Sequence, residues 1–113
     1  MDIFEKLRSG EPVSMFSEEY RSAIDELNRA NLALFHINHA EPNSEQMKAA
    51  FAELFYGNVP EGLAIFAPFQ IDFPMQMTFG KNVFINHSFT AMSIGGIDIE
   101  DNVQIGPKVT VVT

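Results

Sequence analysis

The sequence predicts a mostly β protein, a parallel β-helix of about three coils preceded by an α-helical segment. Two observations carry this prediction. From Phe79 onward, large apolar residues recur six apart at Phe79 and Ile85 and again at Ile99, Ile105 and Val111, with Val83, Phe89, Val103 and Val109 four positions after the first four of them. Strands alternate with period two and amphipathic helices with period about 3.6, so a sustained period of six requires short strands joined by corners, three to a coil, stacked in parallel. Before residue 58 the apolar spacing is helical instead, as at Met47, Phe51 and Leu54.

The helical part begins with a short helix over Asp2–Ser9 that carries Ile3, Phe4 and Leu7 on one side. Gly10 suits a left-handed C-terminal cap and Pro12 forbids continuation. Ser17 followed by Glu18 and Glu19 predicts the next helix start, with a hydroxyl cap and two carboxylates facing the positive end of the dipole. Its apolar face is read as Tyr20, Ile24, Leu27, Leu34 and Phe35, interrupted by Asn31, and it ends near Asn38 and His39. The third helix starts at Pro42–Gln46, with Asn43 as cap and Gln46 completing a capping box. Its stripe is Met47, Phe51, Leu54 and Phe55, and Tyr56–Pro60 ends it. Two such stripes are expected to pack on each other and on the open first coil, which makes residues 1–58 an N-terminal cap and residues 59–113 a hexapeptide-repeat β-helix.

Ala64–Thr113 leaves room for roughly three coils of about eighteen residues, the minimum for a stacked core. Ile85 and Ile99 are separated by two residues more than two repeats, which predicts a two-residue bulge within Ala91–Asp98. Gly95 and Gly96 suit it, since glycine accepts positive φ without a Cβ clash. Phe73–Thr78 fits the period only loosely. The register turns Ile85, Ile99, Ile105 and Val111 inward. It breaks off within a repeat at Thr113, so the β-helix is expected to be truncated there and its raw end to favour self-association.

At 113 residues and 46% hydrophobic composition the chain suits one domain, or one with an appendage. A net charge of −8 with no basic cluster argues against nucleic acid and anionic membrane surfaces. The absence of cysteine excludes a disulfide framework, a thiolate nucleophile and a cysteine-based zinc site. No stretch approaches twenty apolar residues and the N-terminus has no export pattern, so a cytoplasmic location is expected.

Three candidate features have both a functional and a plain reading. His36 and His39 are spaced to offer two imidazoles to a metal; the plain reading has them satisfying carbonyls near a helix C-terminus. Asn86-His87 falls at a corner, either as an ordinary solvated turn or as part of a site. Asp72 is expected to stack near Asn86 on the adjacent coil, about 4.8 Å away, where a carboxylate beside a carboxamide can grip a hydroxyl; the plain reading is an acid in a turn, where acids are common. Eleven phenylalanines read as core and subunit interface.

Arg8–Pro12, Leu34–Pro42, Ile71-Asp72-Phe73, Gly80–Asn86 and Ile105–Thr110 together resemble the maltose and galactoside O-acetyltransferases, which belong to the hexapeptide-repeat acyltransferases. The resemblance runs through nearly the whole chain. It implies a left-handed β-helix, a homotrimer and transfer of acetyl from acetyl-CoA to a sugar-type hydroxyl in a groove between subunits, without a metal. By resemblance Asn86 matches the asparagine of the acceptor and catalytic region, and Asp72 an acceptor-side aspartate or serine. The family's general base is a histidine a few residues beyond the motif matched by Val109–Thr113, so residues 1–113 lack it and are expected to be inactive alone. The coils that bind coenzyme A also lie mostly beyond residue 113. Ile94 and Met15 stand where galactoside members carry acids, which points away from a galactoside or maltose acceptor. Two competing readings are a non-catalytic, self-associating β-helix fragment and a metal-dependent β-helix hydratase using His87, a fold-mate that needs three converging histidines.

Overall fold

The structure, a computed structural model, describes residues 1–113, with helices in the first half and three parallel sheets in the second. Helix α1 (Ile3–Ser9) is capped by the Asp2 carboxylate, which accepts from the Glu5 amide at 2.9 Å, and ends in left-handed Gly10. Helix α2 (Arg21–His39) follows a single 3-10 turn at Glu18–Tyr20. Ser17 is not its cap, because the Ser17 hydroxyl donates back to the Ser14 carbonyl. Helix α3 (Glu45–Leu54) is capped by Ser44 and not by Asn43. Asn43 takes a left-handed conformation, φ 61°, which asparagine tolerates better than most residues.

The buried face of α2 is rotated from the predicted one. Ala23, Glu26, Ala30, Ala33, Leu34 and Ile37 are buried, whereas Ile24 and Phe35 are exposed. Small alanines at helical spacing let α2 lie close against α3, and that close packing outweighs the burial of the larger side chains. Glu26 is tolerated there because the Arg29 guanidinium pairs with it at 2.8 Å.

The strands are β1 (Ala64–Ile65), β2 (Gln70–Ile71), β3 (Met77–Phe79), β4 (Phe84–Ile85), β5 (Thr90–Met92), β6 (Ile97–Ile99), β7 (Gln104–Ile105) and β8 (Thr110–Val112). They form parallel sheets in the orders β1-β4-β7, β2-β5-β8 and β3-β6. Each pairing joins residues twenty apart, as in Ala64↔Phe84, Gln70↔Thr90 and Met77↔Ile97. The extra residues over six per strand therefore recur. The segment 92–96 expected to bulge has a counterpart of equal length in 72–76, a tight 3-10 turn at Pro74–Gln76 that hides the period in the sequence.

Ile85 is fully buried, and Ile99, Ile105 and Val111 are half-buried against the same core, so the inward register holds. Asn82 and Asn102, and Ser88 and Lys108, repeat positive φ at matching corners twenty residues apart. The helices lie against the β1–β3 side of the stack. Asn38 of α2 donates to the Phe69 carbonyl at 2.9 Å and accepts from the Phe69 amide at 3.1 Å, standing in for a strand partner. Phe51 stacks on Phe69, and Phe55 meets Phe79 edge-on.

Candidate functional site

Asp72 follows β2 directly and is half-buried at the corner spanned by 72–76 and 92–96. Its Oδ1 accepts from the Ser93 amide at 2.8 Å and lies 3.3 Å from the Ser93 hydroxyl. Ser93 is completely buried and its hydroxyl also reaches the Phe73 carbonyl at 2.8 Å, so a fixed neighbour holds the carboxylate. No protein donor engages Oδ2. One oxygen is thus anchored and the other is left to accept a proton donor from outside.

Asn86 follows β4, with its backbone amide bonded to the Ile105 carbonyl at 2.9 Å. Its Oδ1 accepts from the His87 amide at 2.8 Å, leaving the Nδ2 hydrogens as its free polar face. Asp72 and Asn86 do not stack. The twenty-residue register sets Asp72 in line with Met92 and Val112, and Asn86 in line with Gly106, at different corners of one chain. His87 is exposed, with Nδ1 3.3 Å from the Ser88 hydroxyl. The other two histidines, His36 and His39, lie on α2, away from His87. His39 Nδ1 sits 2.8 Å from the Phe35 carbonyl, in line with the plain reading for His39.

Sequence reasoning missed Gln76. It is almost fully buried, and its carboxamide donates to the Phe4 carbonyl at 2.9 Å and the Ile94 carbonyl at 3.2 Å while accepting from the Arg8 guanidinium. The available signal was a lone amide within the apolar run Phe73–Met77, since a buried polar side chain demands partners. The chain's larger clefts lie elsewhere. One runs between α2 and α3 beside Leu32, Phe35 and His36, and another lies beside α3 at Met47, Phe51 and Phe66. Neither is lined by Asp72 or Asn86.

Comparison with solved structures gives the overall fold a known architecture. The chain superposes over its full length on a maltose O-acetyltransferase from Clostridium difficile 630, with a TM-score of 0.82 at 24% identity, covering 59% of that chain. A hexapeptide-repeat acetyltransferase from Vibrio cholerae, solved with acetyl coenzyme A, matches 97% of this chain and 57% of its own with a TM-score of 0.71 at 25% identity. The chain has the fold of the hexapeptide-repeat acetyltransferases. In sequence it is 22% identical over 110 residues to the galactoside O-acetyltransferase of Escherichia coli strain K12, which covers 97% of this chain and 53% of that protein. The chain spans about half the length of the relatives it matches. No family model matches it.

Within that fold, Asp72 and Asn86 offer complementary chemistry: a free carboxylate oxygen that only accepts and a carboxamide NH₂ that only donates. A hydroxyl-bearing ligand can satisfy both kinds of group, since each hydroxyl is donor and acceptor together. Neither side chain here is an imidazole placed to take a hydroxyl proton.

Proposed function

We propose that residues 1–113 form the acceptor-side part of an acetyl-CoA-dependent O-acetyltransferase acting on a sugar-type hydroxyl. The observation that carries this is the full-length superposition, helices and strands together, on solved hexapeptide-repeat acetyltransferases. In this reading residues 1–58 cap a left-handed β-helix whose first three coils are 59–113, and three chains assemble so that the Asp72 and Asn86 corners of neighbours face one groove. That arrangement would join corners that one chain keeps apart.

Acetyl-CoA supplies an activated thioester. Asp72 Oδ2 orients the acceptor through one of its hydroxyls, and Asn86 Nδ2 donates to an oxygen at the reacting end. An alcohol is a poor nucleophile near neutrality, and a positioned imidazole that removes its proton contributes about 10²- to 10⁴-fold. By the resemblance that base follows Val109–Thr113 in the family pattern.

The test is coenzyme A release from acetyl-CoA across a panel of sugars and sugar alcohols. Residues 1–113 alone are expected to give no sugar-dependent release, and a polypeptide extended through the histidine and later coils is expected to give steady release. In the extended polypeptide, Asp72→Asn is expected to raise the acceptor KM about tenfold or more through loss of a charged hydrogen bond. Absence of transfer to any hydroxyl in the extended polypeptide would overturn the reading.

A further inference from the structure

The corner that carries Asp72 is held by an element remote in sequence. Gln76 ends the short turn of this corner, and its carboxamide bridges two separate segments: the Phe4 carbonyl and the Arg8 guanidinium of α1 on one side, and the Ile94 carbonyl on the other. Ile94 adjoins Ser93, whose amide anchors Asp72 Oδ1 at 2.8 Å. The aliphatic stem of Arg8 also covers Gly96 at the far end of the same corner, close enough that an added Cβ at Gly96 would meet Arg8 Cγ at 3.3 Å. No polar atom of Gln76 is left unpartnered, so loss of any contact strands a buried group.

We propose that α1 is a clasp on the acceptor-side corner, with Arg8 and Gln76 acting as positioning residues that fix Asp72 through the chain Arg8–Gln76–Ile94–Ser93. The proposal rests on the reading of Asp72 as an acceptor-binding group. Arg8 is exposed as a residue while its guanidinium meets buried Gln76, so its removal tests the clasp without deleting an apolar core side chain. α1 packs on α2 with Ile3 buried and Phe4 and Leu7 half-buried, and the Lys6–Glu19 ion pair at 2.7 Å ties it further. Its side-chain hydrogen bonds to the corner run through Gln76.

The experiment is amide hydrogen exchange, followed residue by residue by NMR, on the 113-residue chain and its Arg8→Ala, Arg8→Lys and Gln76→Leu variants. In Arg8→Ala the Ser93 and Gly96 amides are expected to exchange about tenfold faster, while those of Phe84 and Asn86, bonded to the β7 row away from the corner, keep their wild-type rates. Arg8→Lys, which retains the charge and a donor, is expected to restore much of the protection. In an acetylating polypeptide containing these residues, Arg8→Ala is expected to raise the acceptor KM about tenfold with kcat retained, the pattern of lost ground-state positioning. Unchanged Ser93 exchange in both Arg8→Ala and Gln76→Leu, or uniform acceleration through every strand, overturns the clasp. Faster Ser93 exchange with an unmoved acceptor KM overturns its role toward the acceptor. If the wild-type polypeptide acetylates no hydroxyl, the functional reading falls, while the exchange rates still decide whether α1 holds the corner.

Discussion

Gly80→Ala is expected to lower stability by about 3 kcal/mol or more, enough to unfold much of a small domain. A Cβ built on Gly80 would lie 2.4 Å from Asp101 Oδ1, 2.5 Å from the Asp101 amide nitrogen and 2.6 Å from the Glu100 carbonyl carbon. Two of these atoms are backbone, fixed by the pairing of β3 with β6 and by the 2.7 Å bond from the Gly80 amide to the Ile99 carbonyl. The third belongs to a carboxylate that accepts from the Lys81 amide at 2.7 Å. A side chain cannot be admitted by one rotamer change; the rows themselves must separate, breaking ladder bonds that a stacked repeat needs. Gly106→Ala is the control, because nothing lies within 4 Å of its added Cβ. Its change is expected to stay within about 0.5 kcal/mol. Urea midpoints of the two variants decide the matter, and equal midpoints would refute the close-approach account of Gly80.

Gly80 shows what a repeat sequence does and does not disclose. It follows an apolar repeat position, but the row it meets at contact distance, Glu100 and Asp101, lies about twenty residues on in the sequence, which the period of six does not reveal. Period and inward register were legible because Ile85, Ile99, Ile105 and Val111 each answer to a local rule of side-chain direction. Coil length was not: the turn at Pro74–Gln76 disguises the equivalence of 72–76 with 92–96, which only the pairing of distant strands reveals. In the helices, size misled. Ile24 and Phe35 look like core, but Ala23, Ala30 and Ala33 set how closely α2 approaches its neighbours and so which face is covered. At the candidate site, Asp72 and Asn86 were legible as residue types, while their separation at two corners and the partners Ser93 and Gln76 were not, since those contacts span about twenty residues or more of sequence.

Arg29→Ala is expected to cost about 3 kcal/mol, more than its half-exposed position on α2 suggests. Its guanidinium does three things at once. It pairs with buried Glu26 at 2.8 Å, donates to the Glu53 and Leu54 carbonyls at the C-terminus of α3, and lies 3.8 Å from the centre of the Tyr56 ring. Removing it leaves a carboxylate almost without solvent and two helix-end carbonyls without a donor, and an uncompensated buried charge is the larger loss. The predicted asymmetry follows. Glu26→Leu combined with Arg29→Leu removes the stranded charge and is expected to be more stable than Arg29→Ala alone, although it still lacks the carbonyl contacts. Arg29→Lys is expected to fall between wild type and Arg29→Ala, since an ammonium can meet Glu26 but cannot fork to two carbonyls while lying against an aromatic ring. Denaturant titration of the four proteins checks this order. If the double variant is no more stable than Arg29→Ala, the stranded Glu26 charge is not the main loss, and the joint between α2 and α3 rests on its alanines instead.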